Sequence, residues 1–366
     1  LWVRQYERDM RDVLSLQKEV ARAVTDEVRV NVTPSEQARL AAARQVDPEV
    51  YQLYLKAREQ LHLRNEPAVR VGVALFRQIL AREPGHALAY TGLADCYNWL
   101  GNYAARPPAE TFPLAKIEAT KALRIDNTIA EAHAALAYAL FEYDWDFTGA
   151  EKEFRRAIEL NPGYSAAHQW YGWFLANMLR PAEALDHLRR AVDLDPLSSE
   201  RSMALGWFYV LPARQPQQGL EPLRKAIAAD PGSFIAYAQL GLAYIQLKRP
   251  GEAVKAFETS LSLGGQATWA MAGLGHAFAV QGDRIKAAKV VGELRDRLKR
   301  EYVSSYDIAV IHAGLGENEE ALAWLEKAIT QRDSWLAARM SVDPRLDGLR
   351  SNPRFRGMLK RIGLPG

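Results

Sequence analysis

The sequence has one cysteine, no long apolar run and little excess charge of either sign. The single Cys96 excludes an internal disulfide and a zinc site built from cysteines, and it fits a reducing compartment. No apolar stretch approaches the ~18 to 20 residues that span a bilayer. Lys and Arg number 47 and Asp and Glu 44, so the net charge of +3 gives no strong field for nucleic acid or an anionic membrane. We therefore expect a cytoplasmic chain that contacts neither of them directly.

Residue patterns that carry chemistry are also missing. The seven histidines are scattered and lack the spacing of metal ligands. The glycines at Gly264 and Gly265 join two predicted helices, without the lysine or the strand of a phosphate-binding loop. Asp144 and Asp146 flank Trp145 in a predicted turn, where helix capping explains them better than acid–base catalysis. The sequence predicts no enzyme, no metal site and no cofactor.

What the sequence does contain is a repeat. A small residue returns every 34 or 35 positions after a first interval of 43, at Gly72, Ala115, Ala150, Ala184, Gly219, Ala253, Ala287 and Ala321. A usually larger residue follows each one four positions later, at Phe76, Ala119, Phe154, Leu188, Leu223, Phe257, Val291 and Leu325. Because four residues make about one helical turn, the two positions share a helix face.

A second set of small residues precedes most of these by 12 or 13 positions, at Ala94, Ala137, Gly172, Gly206, Gly241, Gly275 and Ala309. Turns that end helices separate the units, as in Asn161-Pro162-Gly163 and Asp230-Pro231-Gly232. Each unit therefore reads as helix, turn, helix, with two small positions that let the helices approach closely.

This pattern resembles the tetratricopeptide repeat (TPR) family, most closely at Tyr237, Leu240, Gly241, Tyr244, Ala253 and Phe257. The resemblance implies an all-α, right-handed superhelical solenoid of about seven to eight repeats. We predict a repeat array over residues 34–340 and C-terminal capping helices over 341–366. The arginine-rich stretch from Arg345 to Arg361 is interpreted as a solvated end of the stack.

Residues 1–33 lie outside the repeat. An apolar helical stripe runs from Asp12 to Val30, after an extended stretch at Leu1-Trp2-Val3. This opening resembles the end of the TolB-like domain that precedes TPR arrays in bacterial multidomain signalling proteins and transcriptional regulators. The resemblance implies a signalling context with an output domain upstream.

In TPR proteins the first helix of each repeat lines a concave surface that usually binds partners. The positions that the resemblance places there are unusually aromatic, and the candidates are Trp99, Tyr138, Phe141, Gln169, Trp173, Asn177, Trp207, Ile245, Trp269 and His276. Such a groove would suit a protein or peptide ligand, either an amphipathic helix or an extended apolar peptide. Two alternatives stay open: the stripe packs between repeats or against residues 12–30, or the array serves self-association.

Overall fold

The structure is a computed structural model that describes residues 47–103, 106–264 and 267–365, together with Glu19 and Ala23 as single helical positions. The segment predicted over residues 1–33 therefore lies almost wholly outside the described residues. Within the described ranges every regular element is helical. This agrees with the all-α prediction.

Seventeen α-helices follow one another through the described residues. The first eight are α1 (Pro48–His62), α2 (Glu66–Arg82), α3 (Ala87–Asn102), α4 (Pro108–Ile125), α5 (Ala130–Ala139), α6 (Phe147–Leu160), α7 (Ser165–Asn177) and α8 (Pro181–Leu194). The others are α9 (Ser199–Val210), α10 (Pro216–Ala229), α11 (Phe234–Gln246), α12 (Pro250–Gly264), α13 (Thr268–Gln281), α14 (Arg284–Leu298), α15 (Ser305–Leu315), α16 (Asn318–Gln331) and α17 (Pro353–Arg361). A π-helical turn, Leu140–Asp144, extends α5, and a 3-10 helix, Pro344–Leu349, precedes α17.

The chain divides into two compact units, 1–92 and 93–366. In the first, α1 packs against α2, and the buried Phe76 ring meets Tyr54 edge-on at a centroid distance of 6.1 Å. Arg82 also bonds Glu49 across the pair at 2.6 Å. The part of the first unit that the structure describes from residue 47 onward is therefore a helix hairpin followed by the start of α3.

The described part of the second unit contains a series of helix hairpins, and in several of them a small residue lets the two helices approach closely. A Cβ added at Gly172 on α7 would lie 2.7 Å from Leu188 Cγ and 3.2 Å from the Ala184 carbonyl oxygen on α8. Gly206 on α9 faces Leu223 of α10 in the same way. The larger residues that follow the small positions on the second helices are buried throughout. The predicted helix–turn–helix repeat is confirmed, and close approach is the reason for its small residues.

Local chemistry sets the helix ends. Asp146 caps α6 by accepting from the Gly149 amide at 2.9 Å, as its sequence position suggested. Between hairpins, the side chain of Asp230 accepts from the Gly232 amide at 3.0 Å and turns the chain after α10. Proline occupies the first turn of several helices, where no amide donor is needed.

The chain after α16 does not continue the repeat. Residues 332–347, named here the inner segment, form turns and the start of the 3-10 helix, and most of them are buried. One side of this segment, with Leu336 and Met340, joins the apolar core formed by α13–α17. The helix α17 packs against α16 through Phe355, Met358 and Leu359.

The arginines near the C-terminus correct one expectation. Arg345 does not belong to a solvated end: its side chain is 6% exposed and pairs with the fully buried Asp343 at 2.7 Å. Tyr306 on α15 donates its hydroxyl to the same carboxylate at 2.8 Å. The expectation failed because the two opposite charges are brought together in a buried turn, which a count of arginines along the chain does not show. Arg354 and Arg361 do lie at the surface, paired with glutamates of α16.

None of the helices in the described ranges is long and apolar enough to cross a bilayer.

Candidate functional site

The aromatic residues of successive first helices lie side by side along one surface of the second unit. Trp173 of α7 and Trp207 of α9 meet edge to face at a centroid distance of 5.9 Å, and Trp99 of α3 stacks at 5.1 Å on Tyr103, just after that helix. We call this surface the inner surface and define it by Tyr103, Tyr138, Trp173, Asn177, Trp207 and Gln239. Its indoles are buried, with 8% of Trp173 and 4% of Trp207 exposed.

The inner segment covers this surface. The Trp335 ring meets Tyr103 at 5.6 Å and Trp173 at 6.4 Å, edge-on in both cases. Between Trp335, Ala338 and the inner-surface residues Trp207 and Gln239 there remains a cavity of only about 10 Å³. Residues far apart in sequence thus form one closed aromatic contact.

Arg332 anchors the beginning of the inner segment. Its guanidinium donates to the main-chain oxygen of Tyr143 and lies over the rings of Tyr143 and Trp145, 5.4 and 4.5 Å from their centroids. The contact combines a charge-assisted hydrogen bond with two cation–π interactions.

A buried charge lies at the centre of the contact. Arg339 is buried, its guanidinium stacks on Trp335 at 4.5 Å, and it interacts electrostatically with Glu142 of the π-helical turn. Burial raises the pKa of Glu142 from 4.5 to about 8, in spite of the opposing effect of Arg339. Glu142 and Tyr138 lie close enough to affect each other's pKa. The Tyr138 hydroxyl and both carboxyl oxygens of Glu142 nevertheless have no hydrogen-bond partner within the described residues. Near neutral pH the folded state therefore favours a protonated Glu142 beside a charged arginine.

Two further contacts fix the rest of the inner segment. Ser341 donates its hydroxyl to the main-chain oxygen of Asn177 at 3.1 Å. At the exposed rim, Arg214, which follows α9, binds both carboxylate oxygens of Asp347. The segment is thus held at its start, its middle and its end.

Many polar atoms in this contact lack a hydrogen-bond partner among the described residues. They are Tyr138 Oη, Trp173 Nε1, Asn177 Oδ1, Trp207 Nε1 and Gln239 Oε1 on the inner surface, and Trp335 Nε1 and Arg339 Nε on the inner segment. A buried polar group without a partner costs about 1–3 kcal/mol. The shape of the contact is therefore better matched than its hydrogen bonding.

The ten sequence candidates fall into two groups. Four lie close to the inner segment, namely Tyr138, Trp173, Asn177 and Trp207. A fifth, Trp99, contacts Tyr103, whose ring in turn contacts Trp335. The others have neighbours elsewhere: Phe141 packs on Phe147 and Phe174, Gln169 accepts from Arg201, Trp269 stacks on Phe234, His276 bonds the Val310 carbonyl, and Ile245 is half-buried. Their role in binding stays a prediction.

Sequence reasoning missed Glu142, Arg339 and Arg214. Glu142 lies in a π-helical turn that shifts the phase of the first helix, so its position on the inner face could not be read from the period. Arg339 follows the last repeat within Trp335-Leu336-Ala337-Ala338-Arg339-Met340, and an arginine inside an apolar run was the available signal.

A second, wider depression of about 850 Å³ lies beside α6, away from the inner surface. Its walls carry Arg155 and Arg180, and both of these bind Glu151 at 2.7 Å. These surface charges compensate one another, and they give the depression no chemistry of its own.

No cluster of three metal-binding side chains exists in the described part of the chain.

Models of the tetratricopeptide repeat match residues 141–199, 235–263 and 303–333. These ranges cover helix hairpins whose small positions the structure shows in contact. The chain contains tetratricopeptide repeats. Such repeats form a scaffold fold that generally mediates interactions between proteins, and this TPR array supplies the inner surface described above.

Two curated proteins are similar over part of the array. A "Putative adenylate cyclase 3" of Rhizobium meliloti is 31% identical over 146 residues, which are 38% of this chain and 24% of the relative. "Type IV pilus assembly protein PilF" of Pseudomonas aeruginosa is 31% identical over 170 residues, 46% of this chain and 53% of the relative. The chain thus spans a quarter to a half of the relatives it matches.

Among solved structures, that of the "APC/C hetero-tetramer Cut9-Hcn1" superposes with a TM-score of 0.56. The superposition covers 85% of this chain and 55% of the other at 14% identity, which shows the shared fold alone.

Proposed function

We propose that this chain is a non-catalytic protein-interaction module of a bacterial, cytoplasmic multidomain regulator, and that its inner surface binds an amphipathic helix or an extended apolar peptide. One observation carries the proposal: the inner surface already holds a polypeptide, the inner segment. It does so by ring contacts to Trp335 and by the hydrogen bond between Ser341 and the Asn177 main chain.

The residue types on the inner surface suit a peptide ligand. Indole and phenol rings bury a large area with little loss of side-chain entropy, and they dominate the energetics of many protein interfaces. Asn177 and Gln239 add amide oxygens that make no hydrogen bond within the described residues and that could accept from the main chain of a ligand.

The regulator context has separate support. One relative is named a putative adenylate cyclase, and three quarters of that protein lie outside the alignment. Residues 1–33 resemble the end of a TolB-like domain, which accompanies TPR arrays in signalling proteins. Both similarities favour an array that senses a partner on behalf of an output domain.

A peptide-display selection on the purified chain tests the binding proposal. Peptides enriched on the wild type should bind at least about tenfold more weakly to Trp173→Phe and Trp207→Phe, which keep a ring but lose the indole shape and donor. Trp324→Phe is the matched control. Trp324 lies on α16, outside the inner surface, and its ring contacts Arg295 of α14 and Lys327 of α16. Enriched peptides that bind all variants equally, or no enrichment at all, would overturn the proposal.

Self-association is the competing proposal. Light scattering over a range of concentrations separates the two, since a mass that rises with concentration, and that Trp173→Phe prevents, would favour an assembly module.

A further inference from the structure

We propose that the inner segment is an intramolecular ligand that closes the inner surface, and that a partner bearing a tryptophan and, four residues later, an arginine exchanges with it. This inference rests on the proposed function and names the partner's chemistry. In the closed structure, Trp335 and Arg339 occupy the places that the partner's tryptophan and arginine would take.

The first argument concerns the two sides of the inner segment. Leu336 and Met340 face the apolar core of the last repeats and are fully buried there. Trp335 and Ser341 instead contact α7, which lies far earlier in the chain. Arg339 stacks on Trp335 and interacts electrostatically with Glu142 on that side and with Asp307 of α15 on the other. The contacts to the inner surface can therefore break while the apolar side stays packed on α15 and α16.

The second argument is the poor polar match of the closed contact. Five polar atoms of the inner surface and two that the inner segment turns toward it make no hydrogen bond within the described residues. Well-packed interfaces leave few such atoms, because each one loses its water without a replacement. A partner that supplies acceptors to the indoles and donors to Asn177 and Gln239 would fit the surface better than the inner segment does.

The third argument is backbone strain. Trp335 has a φ of +65°, in the left-handed region that a bulky side chain rarely adopts. It does not end a helix, unlike Arg332 at the C-cap of α16. Surrounding contacts must hold such a conformation in place, and strain of this kind concentrates at sites that switch.

The recognised chemistry follows from the contacts. A tryptophan ring lies against both Tyr103 and Trp173, and the arginine four residues later stacks on that ring near Glu142. We therefore infer a tryptophan- and arginine-bearing peptide as the partner class, presented by another protein.

The test uses a fluorescent synthetic peptide of residues 332–347 and the full chain in three forms. Wild type should bind it weakly, because the tethered segment competes at an effective concentration in the millimolar range. Trp335→Gly removes the competing ring and tolerates the positive φ, so it should bind the peptide at least about tenfold more tightly. Trp324→Gly would damage α16, so Trp324→Phe is the control and should behave as wild type.

A second variant guards against misfolding of the first. Arg214→Ala combined with Arg332→Asn loosens both ends of the inner segment at partly exposed positions, and asparagine accepts the left-handed conformation at residue 332. This variant should also bind the peptide more tightly than wild type.

Spin labels at Leu197→Cys and Gly348→Cys, both exposed, report opening directly. We expect a single distance population in the wild type and a second, longer one in both loosened variants. Folded variants that bind no peptide and keep the single distance would overturn the proposal. A longer distance that appears only as the chain dimerises would overturn it as well, since it would show exchange of the segment between two copies.

These outcomes are separable from those of the proposed function. If selected peptides bind the wild type through Trp173 without lengthening the label distance, the binding function stands and the intramolecular closure fails. If the 332–347 peptide binds the loosened variants while the selection yields no peptide, the intramolecular closure is supported and the proposed binding of other proteins is not.

Discussion

The contact between α7 and α8 and the inner segment are both buried, but different forces hold them. In the hairpin, Gly172 lets the helices touch, Leu188 fills the space, and the main-chain groups bond within each helix. In the inner segment the backbone forms turns, and the buried side chains include Arg339, Asp343 and Arg345. The hairpin therefore depends on shape, and the inner segment on the pairing of charges.

Asp343→Ala should give the largest effect, because it leaves Arg345 buried without its carboxylate and Tyr306 without its acceptor. Burial by itself would raise the pKa of Asp343, yet Arg345 and its hydrogen bonds hold that pKa well below the usual range. We expect a loss of about 3–5 kcal/mol in the free energy of unfolding, measured by urea denaturation with circular dichroism. Asp347→Ala removes two partly exposed pairs, with Arg214 and Arg350, and should lose less than about 1 kcal/mol. Equal losses would contradict the contrast.

Gly172→Ala probes the hairpin side of the comparison. The added methyl would lie 2.7 Å from Leu188 Cγ, so the helices must separate, and we expect a loss of about 1–3 kcal/mol. Gly292→Ala is the matched control, since an added methyl at this exposed position of α14 meets nothing within 4 Å. Higher helix propensity should make that variant more stable by up to about 1 kcal/mol. The same sign for both variants in thermal melts would argue against close packing as the reason for the small residues.

The same contrast explains what the sequence could predict. The helices and their facing small residues follow from a period of 34 or 35, since each repeat buries the same positions against its neighbours. The TPR resemblance, read in the phase of this repeat, predicts that Trp173, Trp207 and Asn177 line one surface. Nothing periodic marks the inner segment, because its partners Glu142 and Tyr103 become neighbours only once the array has wound.

Glu142→Gln sharpens the electrostatic side. With a pKa raised to about 8 by burial, folded Glu142 keeps its proton at pH 6–8, whereas in the unfolded chain it ionises near 4.5. The native state binds more protons, so this group's contribution to stability is lost as pH rises from about 4.5 to 8, by at most about 1.4 kcal/mol per pH unit.

The glutamine variant should lose that slope between pH 7 and 8 in melting temperatures measured against wild type. Burial also raises the pKa of Asp333, to about 7, so Asp333 adds a slope of the same sign below pH 7 in every variant. Asp307→Asn is its control, because burial raises the pKa of Asp307 only to about 6 and its slope lies below that pH. His276, whose pKa burial lowers to about 4, acts in the opposite direction below pH 6.5 and is shared by all three chains. A slope at pH 7–8 that survives Glu142→Gln would place the titrating group elsewhere.

Arg214→Ala should have the smallest effect on global stability and yet a selective effect on the inner segment. The pair with Asp347 is partly exposed and worth about 0.2–1 kcal/mol, so the free energy of unfolding should hardly change. If the contacts to the inner surface open without global unfolding, losing this pair destabilises the closed state by the full energy of the pair. The equilibrium constant for opening should then rise by up to about fivefold. Spin-label populations across Leu197 and Gly348 measure this change. Lys225→Ala removes a more exposed pair within α10 and should leave the populations unchanged. An opening equilibrium that responds alike to both variants would mean that the inner segment does not move on its own.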